Sequence, residues 1–395
     1  MKTREIGDVR VSAIGLGGMP MSIEGRPDEA RSVATIHAAL DEGVTFFDTA
    51  DAYHLNADEV GHNESLIARA VASWGGDTSN VLIATKGGHL RPGDGSWTVN
   101  GRPEYLKEAA KASLARLGGD AIGLYQFHRP DPDVPYEDSV GAIRDLLDEG
   151  VIRMAGISNA TVERIRLSQD ILGGRLVSVQ NQFSPAFRSS EPELELCDEL
   201  GIAFLPWSPL GGISSAGALG DKFAAFKRVA DDRGLSPQVV CLAWHLAKSP
   251  RVIPIPGASR PESVRDSASA AELELTAEEL TSRPPRISWL RRMRSTFAFE
   301  MPAMRMTPSS RRSRMAPTES SYGTSGSGRW NWYSPIASPP SRASEALAAP
   351  FRYSGRPLTV HEPSPGRRCP PFVAMSTFEV SPPHDATASA MSDSL

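Results

Sequence analysis

The sequence predicts a (β/α)8 barrel with an N-terminal β-hairpin and a disordered C-terminal tail. Eight short apolar segments with strand character alternate with about eight amphipathic helical segments over residues 12–270. Such alternation is typical of parallel strands joined by right-handed crossovers, and eight units favour closure into a barrel. Polar side chains follow the strands, on the face where barrel active sites lie. An open doubly wound sheet is the alternative, but the phosphate-binding glycine loop that it usually carries is missing from the sequence.

The N-terminal segment is predicted to form a hairpin over residues 1–12, with Gly7 and Asp8 in the turn. Residues 12–18 follow as a small, glycine-rich strand. This strand does not match the GxGxxG motif, because its third glycine comes too early and no acidic residue stands at the expected distance. A Rossmann domain is therefore disfavoured.

The ends of the helices carry residues of the expected types. A helix at residues 28–42 stops at Gly43, and Pro103 opens a helix at 103–117 that stops at Gly118. Ser236 is the predicted N-cap of a later helix. The other helices are predicted at residues 64–74, 136–149, 162–172, 192–200, 237–248 and 262–270. The other strands are predicted at residues 44–47, 81–85, 122–127, 152–157, 176–179, 202–206 and 252–255.

The overall composition is that of an ordinary globular protein, with 40% hydrophobic and 23% charged residues in 395. The net charge of −5 gives no reason to expect a nucleic-acid partner. Three cysteines lack metal or redox spacing, which indicates a reducing compartment. The N-terminus is too polar for a signal peptide, and no apolar run is long enough to cross a membrane. A cytoplasmic protein without a membrane partner is expected.

The composition changes abruptly near Leu280. The 115 residues after it contain 15 Arg, no Lys and 16 of the 32 prolines, so this segment carries about +8 and the rest about −13. Its lack of helical or strand periodicity predicts disorder. We therefore divide the chain into a barrel at residues 1–280 and an Arg/Ser/Pro-rich tail at residues 281–395. Pro284 and Pro285 stop the last helix. Because the composition shifts abruptly to Arg without Lys, together with Ser, Pro and Ala, we interpret the tail as a frameshift product of a GC-rich gene, with a genuine disordered extension as the alternative.

Four side chains that can take part in acid–base chemistry lie at the ends of three consecutive predicted strands. Asp48 and Tyr53 follow the second strand, Lys86 follows the third, and His128 follows the fourth. Each one alone has an ordinary explanation: a helix cap, a packing phenol, a solvated charge or a structural imidazole. If the three strands are neighbours in a barrel, however, all four side chains converge in one pocket.

Several segments at the strand ends match the motifs of one enzyme family. They are Phe47-Asp48-Thr49-Ala50-Asp51-Ala52-Tyr53, Ala84-Thr85-Lys86, Leu124-Tyr125-Gln126-Phe127-His128, Gly156-Ile157-Ser158-Asn159, Val179-Gln180-Asn181, Trp207-Ser208-Pro209-Leu210 and Ile255-Pro256-Gly257-Ala258-Ser259. In this order the chain resembles the aldo-keto reductases over roughly residues 1–280. The resemblance implies an NADP-dependent barrel oxidoreductase that reduces aldehydes or ketones to alcohols.

The resemblance also implies a role for each of the four strand-end residues. Carbonyl reduction needs a hydride on carbon and a proton on oxygen, so a general acid must stand beside the oxygen. Tyr53 is that acid, and because its free pKa is near 10, the Lys86 cation is expected to lower it. Asp48 would hold Lys86 by a charge-assisted hydrogen bond, and His128 would orient and polarise the carbonyl.

The cofactor-binding residues follow from the same resemblance to the family. They are Ser158, Asn159, Gln180, Trp207, Ser208, Leu210, Gly212, Gly257, Ser259, Arg260 and Asp266. The first three would bind the nicotinamide carboxamide, and Trp207 would stack on the ring, with core packing as its alternative. The segment from Ser208 to Gly212 would lie along the pyrophosphate. Ser259 and Arg260 would bind the 2′-phosphate, which favours NADPH over NADH, whereas Asp266 replaces a glutamate of many relatives, so the adenine contact is expected to differ.

A metal site is not predicted. His54, Asp58 and His62 lie in one polar stretch, but their spacing defines no ligand geometry. Asn63 is more simply explained as the N-cap of the next helix, with Glu64 favoured by the helix dipole.

Two classes of function are open for such a barrel. One is an enzyme acting on a small-molecule carbonyl; the other is a cofactor-binding accessory subunit that reports redox state, as some members of this family do for potassium channels. The loops near Pro20 and Met21, residues 89–97 and residues 129–132, together with Phe187, are expected to line the substrate pocket. The sequence specifies neither the substrate nor the oligomeric state.

Overall fold

The computed structural model describes residues 1–281. The predicted tail, from residue 282 onward, lies outside the described residues, so its disorder and its origin stay predictions. Within residues 1–281, no helix is both long enough and apolar enough to span a bilayer.

The N-terminal segment forms the predicted hairpin. Strands β1 (Thr3–Ile6) and β2 (Val9–Ser12) pair antiparallel, and Gly7 in the turn has φ of +59°, a conformation that favours glycine. Ile6 and Val11 are fully buried and pack against inward-facing strand residues such as Phe46. The hairpin therefore seals one end of the barrel interior.

Within residues 1–281, seven parallel strands form one sheet in the order β11-β10-β9-β8-β5-β4-β3. Their bounds are β3 Leu16–Gly17, β4 Phe46–Asp48, β5 Leu82–Gly87, β8 Ile122–Phe127, β9 Ile152–Ser158, β10 Leu176–Gln180 and β11 Ala203–Phe204. Two further short strands, β6 (His89–Leu90) and β7 (Thr98–Val99), form a small antiparallel hairpin in the loop after β5.

Residues 252–257 close the sheet into the predicted barrel. Val252 bridges Phe204 on one side, and Gly257 bridges Gly17 on the other. The backbone amide of Gly17 donates to the carbonyl of Pro256 at 3.0 Å. The two prolines of this segment, Pro254 and Pro256, have no N–H to donate, so the closing strand makes isolated bridges instead of a continuous ladder.

Helices surround the barrel and bury their apolar faces against the strands. Their bounds are α1 Glu29–Asp41, α2 His62–Ser73, α3 Pro103–Leu117, α4 Tyr136–Asp148, α5 Val162–Ile171, α6 Glu191–Leu200, α7 Leu219–Lys222, α8 Ala224–Arg233, α9 Pro237–Leu246, α10 Pro261–Ser269 and α11 Ala277–Thr281. The predicted cap of α9 is confirmed, because the Ser236 hydroxyl accepts a hydrogen bond from the Val239 amide at 3.1 Å. Helices α7 and α8 were not predicted, since the segment after β11 lacks a clear apolar period.

The predicted N-cap of α2 is wrong. The helix begins two residues earlier, at His62, with Gly61 as its cap at φ of +79°. Asn63 is instead buried in the first turn, where its amide donates to the Gly18 carbonyl at 2.8 Å and its oxygen accepts from the Thr49 hydroxyl at 2.6 Å. The Asn63 side chain therefore bonds to Gly18, just after β3, and to Thr49, just after β4, although the local sequence would place it at the helix end.

The polar stretch before α2 serves local structure. His62 Nδ1 lies 2.8 Å from the Ser22 hydroxyl, and His54 Nδ1 lies 2.7 Å from the Asn56 carbonyl. In the part of the chain that the structure describes, no three His, Cys, Asp or Glu side chains are grouped so that they could hold a metal ion.

Candidate active site

Three neighbouring strands bring the four predicted catalytic side chains together. Strand β5 pairs with β4 on one side and β8 on the other, so that Asp48, Lys86 and His128 lie at adjacent strand ends. Lys86 is fully buried and donates to Asp48 Oδ2 at 2.7 Å, to the Thr49 carbonyl at 2.8 Å and to Tyr53 Oη at 3.2 Å. The ammonium group thus has all three of its protons in hydrogen bonds, one of them to the phenol.

The second carboxylate oxygen of Asp48 is held from the far side of the barrel. Gln180 Nε2 donates to Asp48 Oδ1 at 2.8 Å, and Gln126 Nε2 lies 3.5 Å from the same oxygen. Gln180 was predicted as a cofactor contact only, and its link to Asp48 had no signal in the sequence because 132 positions separate the two residues. The Gln180 side chain therefore connects the predicted nicotinamide site to the buried ion pair.

Electrostatics keep Lys86 charged and Tyr53 protonated. Burial lowers the pKa of Lys86, but the Asp48 carboxylate and the Tyr53 phenol raise it more, and the net direction is upward. Burial raises the pKa of Tyr53, and the Lys86 cation lowers it by less, so that the net direction is again upward from 10.0. The expected lowering by Lys86 therefore offsets only part of the rise in the pKa of Tyr53, and the phenol is protonated at neutral pH.

His128 is neutral and faces the phenol. Its ring lies edge-on to Tyr53, with centroids 5.8 Å apart and an interplanar angle of 82°. Burial and the nearby Lys86 cation hold the pKa of His128 well below 6.5. Its Nδ1 atom is buried without a hydrogen-bond partner among the described residues. A neutral imidazole at this position can donate one hydrogen bond to a carbonyl oxygen without carrying charge.

A cavity of about 630 Å³ opens beside these residues. Tyr53, Asp48 and His128 form part of its wall, together with eight of the predicted cofactor residues: Ser158, Asn159, Gln180, Trp207, Ser208, Leu210, Gly212 and Gly257. Lys86 lies behind Tyr53, out of the cavity lining. Three predicted catalytic residues and eight predicted cofactor residues, which come from separate segments of the chain, thus line one cavity.

Two residues of this wall adopt a backbone conformation that side chains other than glycine rarely take. Asn159 has φ of 57° and Ser208 has φ of 52°, and they are the non-glycine residues with positive φ in the described chain. The Asn159 side chain donates to the His128 carbonyl and to the Ser158 hydroxyl, both at 3.0 Å. Such strain clusters at functional sites, where the surrounding structure holds it in place.

The wall fits a nicotinamide dinucleotide. The half-buried Trp207 ring lines the cavity, and its Nε1–H is buried without a partner in residues 1–281. Beyond it, Gly211 and Gly212 turn the chain with φ of +87° and +99°, which only glycine adopts easily. A flat aromatic surface, amide and hydroxyl groups at one end and a tight glycine turn at the other match a planar ring joined to phosphates.

Three predicted cofactor residues do not line the cavity: Ser259, Arg260 and Asp266. Arg260 is exposed at the start of α10, and its Nε donates to the Ser263 hydroxyl at 2.8 Å. The Asp266 carboxylate accepts a hydrogen bond from the Ser236 hydroxyl at 2.7 Å. Gly257, two residues before Ser259, does line the cavity, and a Cβ atom at Gly257 would come within 2.7 Å of Pro20.

The other end of the cavity is built by loops. Of the predicted lining, Pro20, His89, Trp97 and Arg129 are present, whereas Met21 is in the core and Phe187 does not line the cavity. Six further loop residues line the cavity and were not predicted, because no sequence motif marks them: Met19, Ile23, Glu24, Val99, Ile213 and Ala216.

Stacked rings form one side of this loop-built end. His89 stacks on Trp97 with centroids 4.6 Å apart and meets His128 edge-on at 4.8 Å. Burial, with the Arg129 cation as the second cause, lowers the pKa of His89 to about 4.

A buried polar cluster supports the loop that carries Tyr53. Glu64 is fully buried and accepts from Thr85 Oγ1 at 2.5 Å and from Arg116 Nε at 2.6 Å. Burial, and then the Glu64 carboxylate, raise the pKa of Asp51 well above its usual range. The Asp51 carbonyl in turn accepts from the Gly61 amide at 2.8 Å, which ties the loop to the start of α2.

Known proteins share both this fold and these sequence motifs. Residues 13–282 match the sequence profile of the Aldo/keto reductase family. An uncharacterized oxidoreductase of Schizosaccharomyces pombe is 35% identical over 280 residues, 70% of this chain and 87% of that protein. The 6-dehydroglucose reductase of Novosphingobium aromaticivorans is 32% identical over 69% of this chain and 90% of its own length. The aldo/keto reductase of Klebsiella pneumoniae, solved with NADP and acetate, is 28% identical, covers 72% of this chain and 96% of that structure, and superposes with a TM-score of 0.60. The chain therefore belongs to the aldo/keto reductase family of oxidoreductases.

Proposed function

We propose that this protein reduces aldehydes or ketones to alcohols with NADPH, and that Tyr53 is the general acid. One observation carries the proposal: a single ammonium group, Lys86 Nζ, is hydrogen-bonded to both Asp48 and Tyr53 at the wall of the cavity. This arrangement stabilises the phenolate that remains once Tyr53 has given up its proton. The relative from Klebsiella pneumoniae, solved with NADP, supports the choice of cofactor.

The residues at the cavity have separate roles in the proposed carbonyl reduction. NADPH, when bound, supplies the hydride. Ser158, Asn159 and Gln180 would hold the nicotinamide carboxamide, Trp207 its ring, and residues 208–212 the pyrophosphate. The neutral His128 donates a hydrogen bond that orients the substrate carbonyl toward the phenol. Tyr53 Oη then donates its proton to the carbonyl oxygen, and Lys86, held by Asp48, stabilises the resulting negative charge.

A carbonyl panel tests the proposal directly. The purified full-length chain is incubated with NADPH and a series of aliphatic and aromatic aldehydes and ketones, and cofactor oxidation is followed by absorbance. We expect turnover of at least one class of aldehyde. If NADPH binds but no member of the panel is reduced, the alternative function of a cofactor-binding, redox-reporting subunit is favoured over the enzyme.

The rate of reduction is expected to be independent of pH from about pH 6 to about pH 9. Tyr53 must be protonated to act, and its raised pKa means that the active form is lost only as pH rises above the usual value of 10.0. His128 stays neutral over the same range, because its pKa is well below 6.5. A profile of kcat/KM for one aldehyde checks this expectation, and an inflection near neutral pH would contradict it.

Preference for NADPH over NADH is proposed to depend on Arg260. Loss of one guanidinium contact to a phosphate should weaken NADPH binding by about 10- to 100-fold in Arg260→Ala, with little change for NADH. Fluorescence titration with each cofactor measures both constants. Arg265→Ala is the matched control, because Arg265 lies on the same helix with its guanidinium directed at Glu42, 3.7 Å away. Equal losses for NADH and NADPH would exclude the assigned role.

A further inference from the structure

Arg129 is a cation at the substrate end of the cavity that has no partner among residues 1–281. It directly follows His128, is half-buried and lines the cavity. No hydrogen bond or ion pair joins its guanidinium to another residue in the described chain. Two other arginines that are shielded from solvent have charge partners: Arg116 pairs with Glu64, and Arg91 pairs with Glu24 and also donates to the His54 carbonyl.

The carboxylates that line the cavity cannot neutralise this charge. Glu24 is already paired with Arg91, and Asp48 is paired with Lys86. The imidazoles of His89 and His128, beside Arg129, are neutral. Burial is the main cause of their lowered pKa values, and the positive charge of Arg129 is a further cause for both. The substrate end of the cavity is therefore electropositive, because in the part of the chain that the structure describes the Arg129 guanidinium near Tyr53 has no charge partner.

We propose that Arg129 binds a carboxylate of the substrate, so that the preferred substrates are aldehydes or ketones that carry an acid group. This inference rests on the proposed reductase function. A partly buried guanidinium without a partner is unfavourable, and a carboxylate can satisfy it with two parallel hydrogen bonds. The remaining lining of this end is apolar or aromatic, with Ile23, Trp97 and Val99 among its members. Such walls with a single cation suit a singly charged carboxylate better than a doubly charged phosphate.

The matched substrates differ only in charge. Para-formylbenzoate is compared with its methyl ester, and succinate semialdehyde with its methyl ester, each with saturating NADPH and the full-length chain. We expect kcat/KM for the acid to exceed that for the ester by about 10- to 100-fold in at least one pair. We also expect rising ionic strength to reduce the rate for the acid more than that for the ester.

Variants of Arg129 assign the preference to one side chain. Arg129→Gln should reduce the acid-to-ester ratio to near one, and Arg129→Lys should restore part of it, because lysine keeps the charge without the planar fork. Arg153→Gln is the control: Arg153 is exposed near the start of β9, at the end of the barrel opposite the site, and its ratio should equal that of the unmodified protein.

Each outcome has a defined meaning. Equal rates for acid and ester in the unmodified protein would overturn the inference and leave the reductase function intact. Equal losses for acid and ester in Arg129→Gln would also overturn it, since Arg129 would then support the position of His128. Turnover of no aldehyde at all would overturn the reductase function itself, and the inference with it.

Discussion

Tyr53→Phe is expected to lower kcat for aldehyde reduction by about 10²- to 10⁴-fold and to leave the affinity for NADPH nearly unchanged. The substitution removes only the hydroxyl that receives a hydrogen bond from Lys86 and that would donate the proton. The ring itself stays, so its packing against His128 is preserved. Steady-state kinetics on the best aldehyde of the panel, together with a fluorescence titration of NADPH, measure the two quantities separately.

Tyr136→Phe is the matched control for this experiment. Its hydroxyl is also engaged, 3.0 Å from the Ser168 hydroxyl, but Tyr136 begins α4 on the outside of the barrel. The control should keep the kcat of the unmodified protein. Retention of most of the activity in Tyr53→Phe would remove Tyr53 from the role of general acid, whereas loss of NADPH binding would indicate damage to the cofactor site.

Arg116→Met is expected to destabilise the barrel by about 3–5 kcal/mol, because it leaves the Glu64 carboxylate buried without its charge partner. Glu64 is fully buried, and the Arg116 Nε atom lies 2.6 Å from it. Among the described residues, only the Thr85 hydroxyl, at 2.5 Å, would remain as a hydrogen-bond donor to that carboxylate. The free energy of unfolding is measured by urea denaturation, followed by circular dichroism.

Two further variants separate the buried charge from other effects of Arg116. Arg144→Met removes one member of an exposed pair with Asp145, which should cost less than about 1 kcal/mol. The double variant Glu64→Gln/Arg116→Met removes both buried charges and should recover part of the lost stability. A loss in Arg116→Met no larger than that in Arg144→Met would mean that water or another residue compensates Glu64.

The same cluster links stability to the active site. The Asp51 carboxyl group accepts from Tyr105 Oη at 3.5 Å, and the Asp51 backbone amide donates to the Lys86 carbonyl at 3.3 Å. Asp51 therefore lies between the buried Glu64 and the loop that positions Tyr53. In the sequence Asp51 is one more residue of the family motif, and only its burial and its neighbours identify it as a structural acid with a raised pKa.

Most of the arrangement of Asp48, Tyr53, Lys86 and His128 could be predicted, because a barrel repeats one local unit of a strand and a helix. Strands that follow one another in the chain pair as neighbours, so residues at their ends must converge. The strand order alone predicts that Asp48, Lys86 and His128 lie at one edge of the sheet, and Lys86 Nζ is within hydrogen-bond distance of both Asp48 and Tyr53. The contact between Gln180 and Asp48 spans the barrel and could not be found in this way.

The sequence by itself determined the barrel, the order of its strands and the residues at their ends, since these depend on apolar periodicity and on motifs within a few positions. The tertiary structure decided what each polar side chain pairs with. It places Asn63 in a buried network and not at a helix cap, and it closes the barrel through Pro254 and Pro256. Within residues 1–281, it gives Arg129 no partner in the cavity. Pairing, burial and the pKa shifts that follow from them depend on residues far apart in the chain, which no local pattern records.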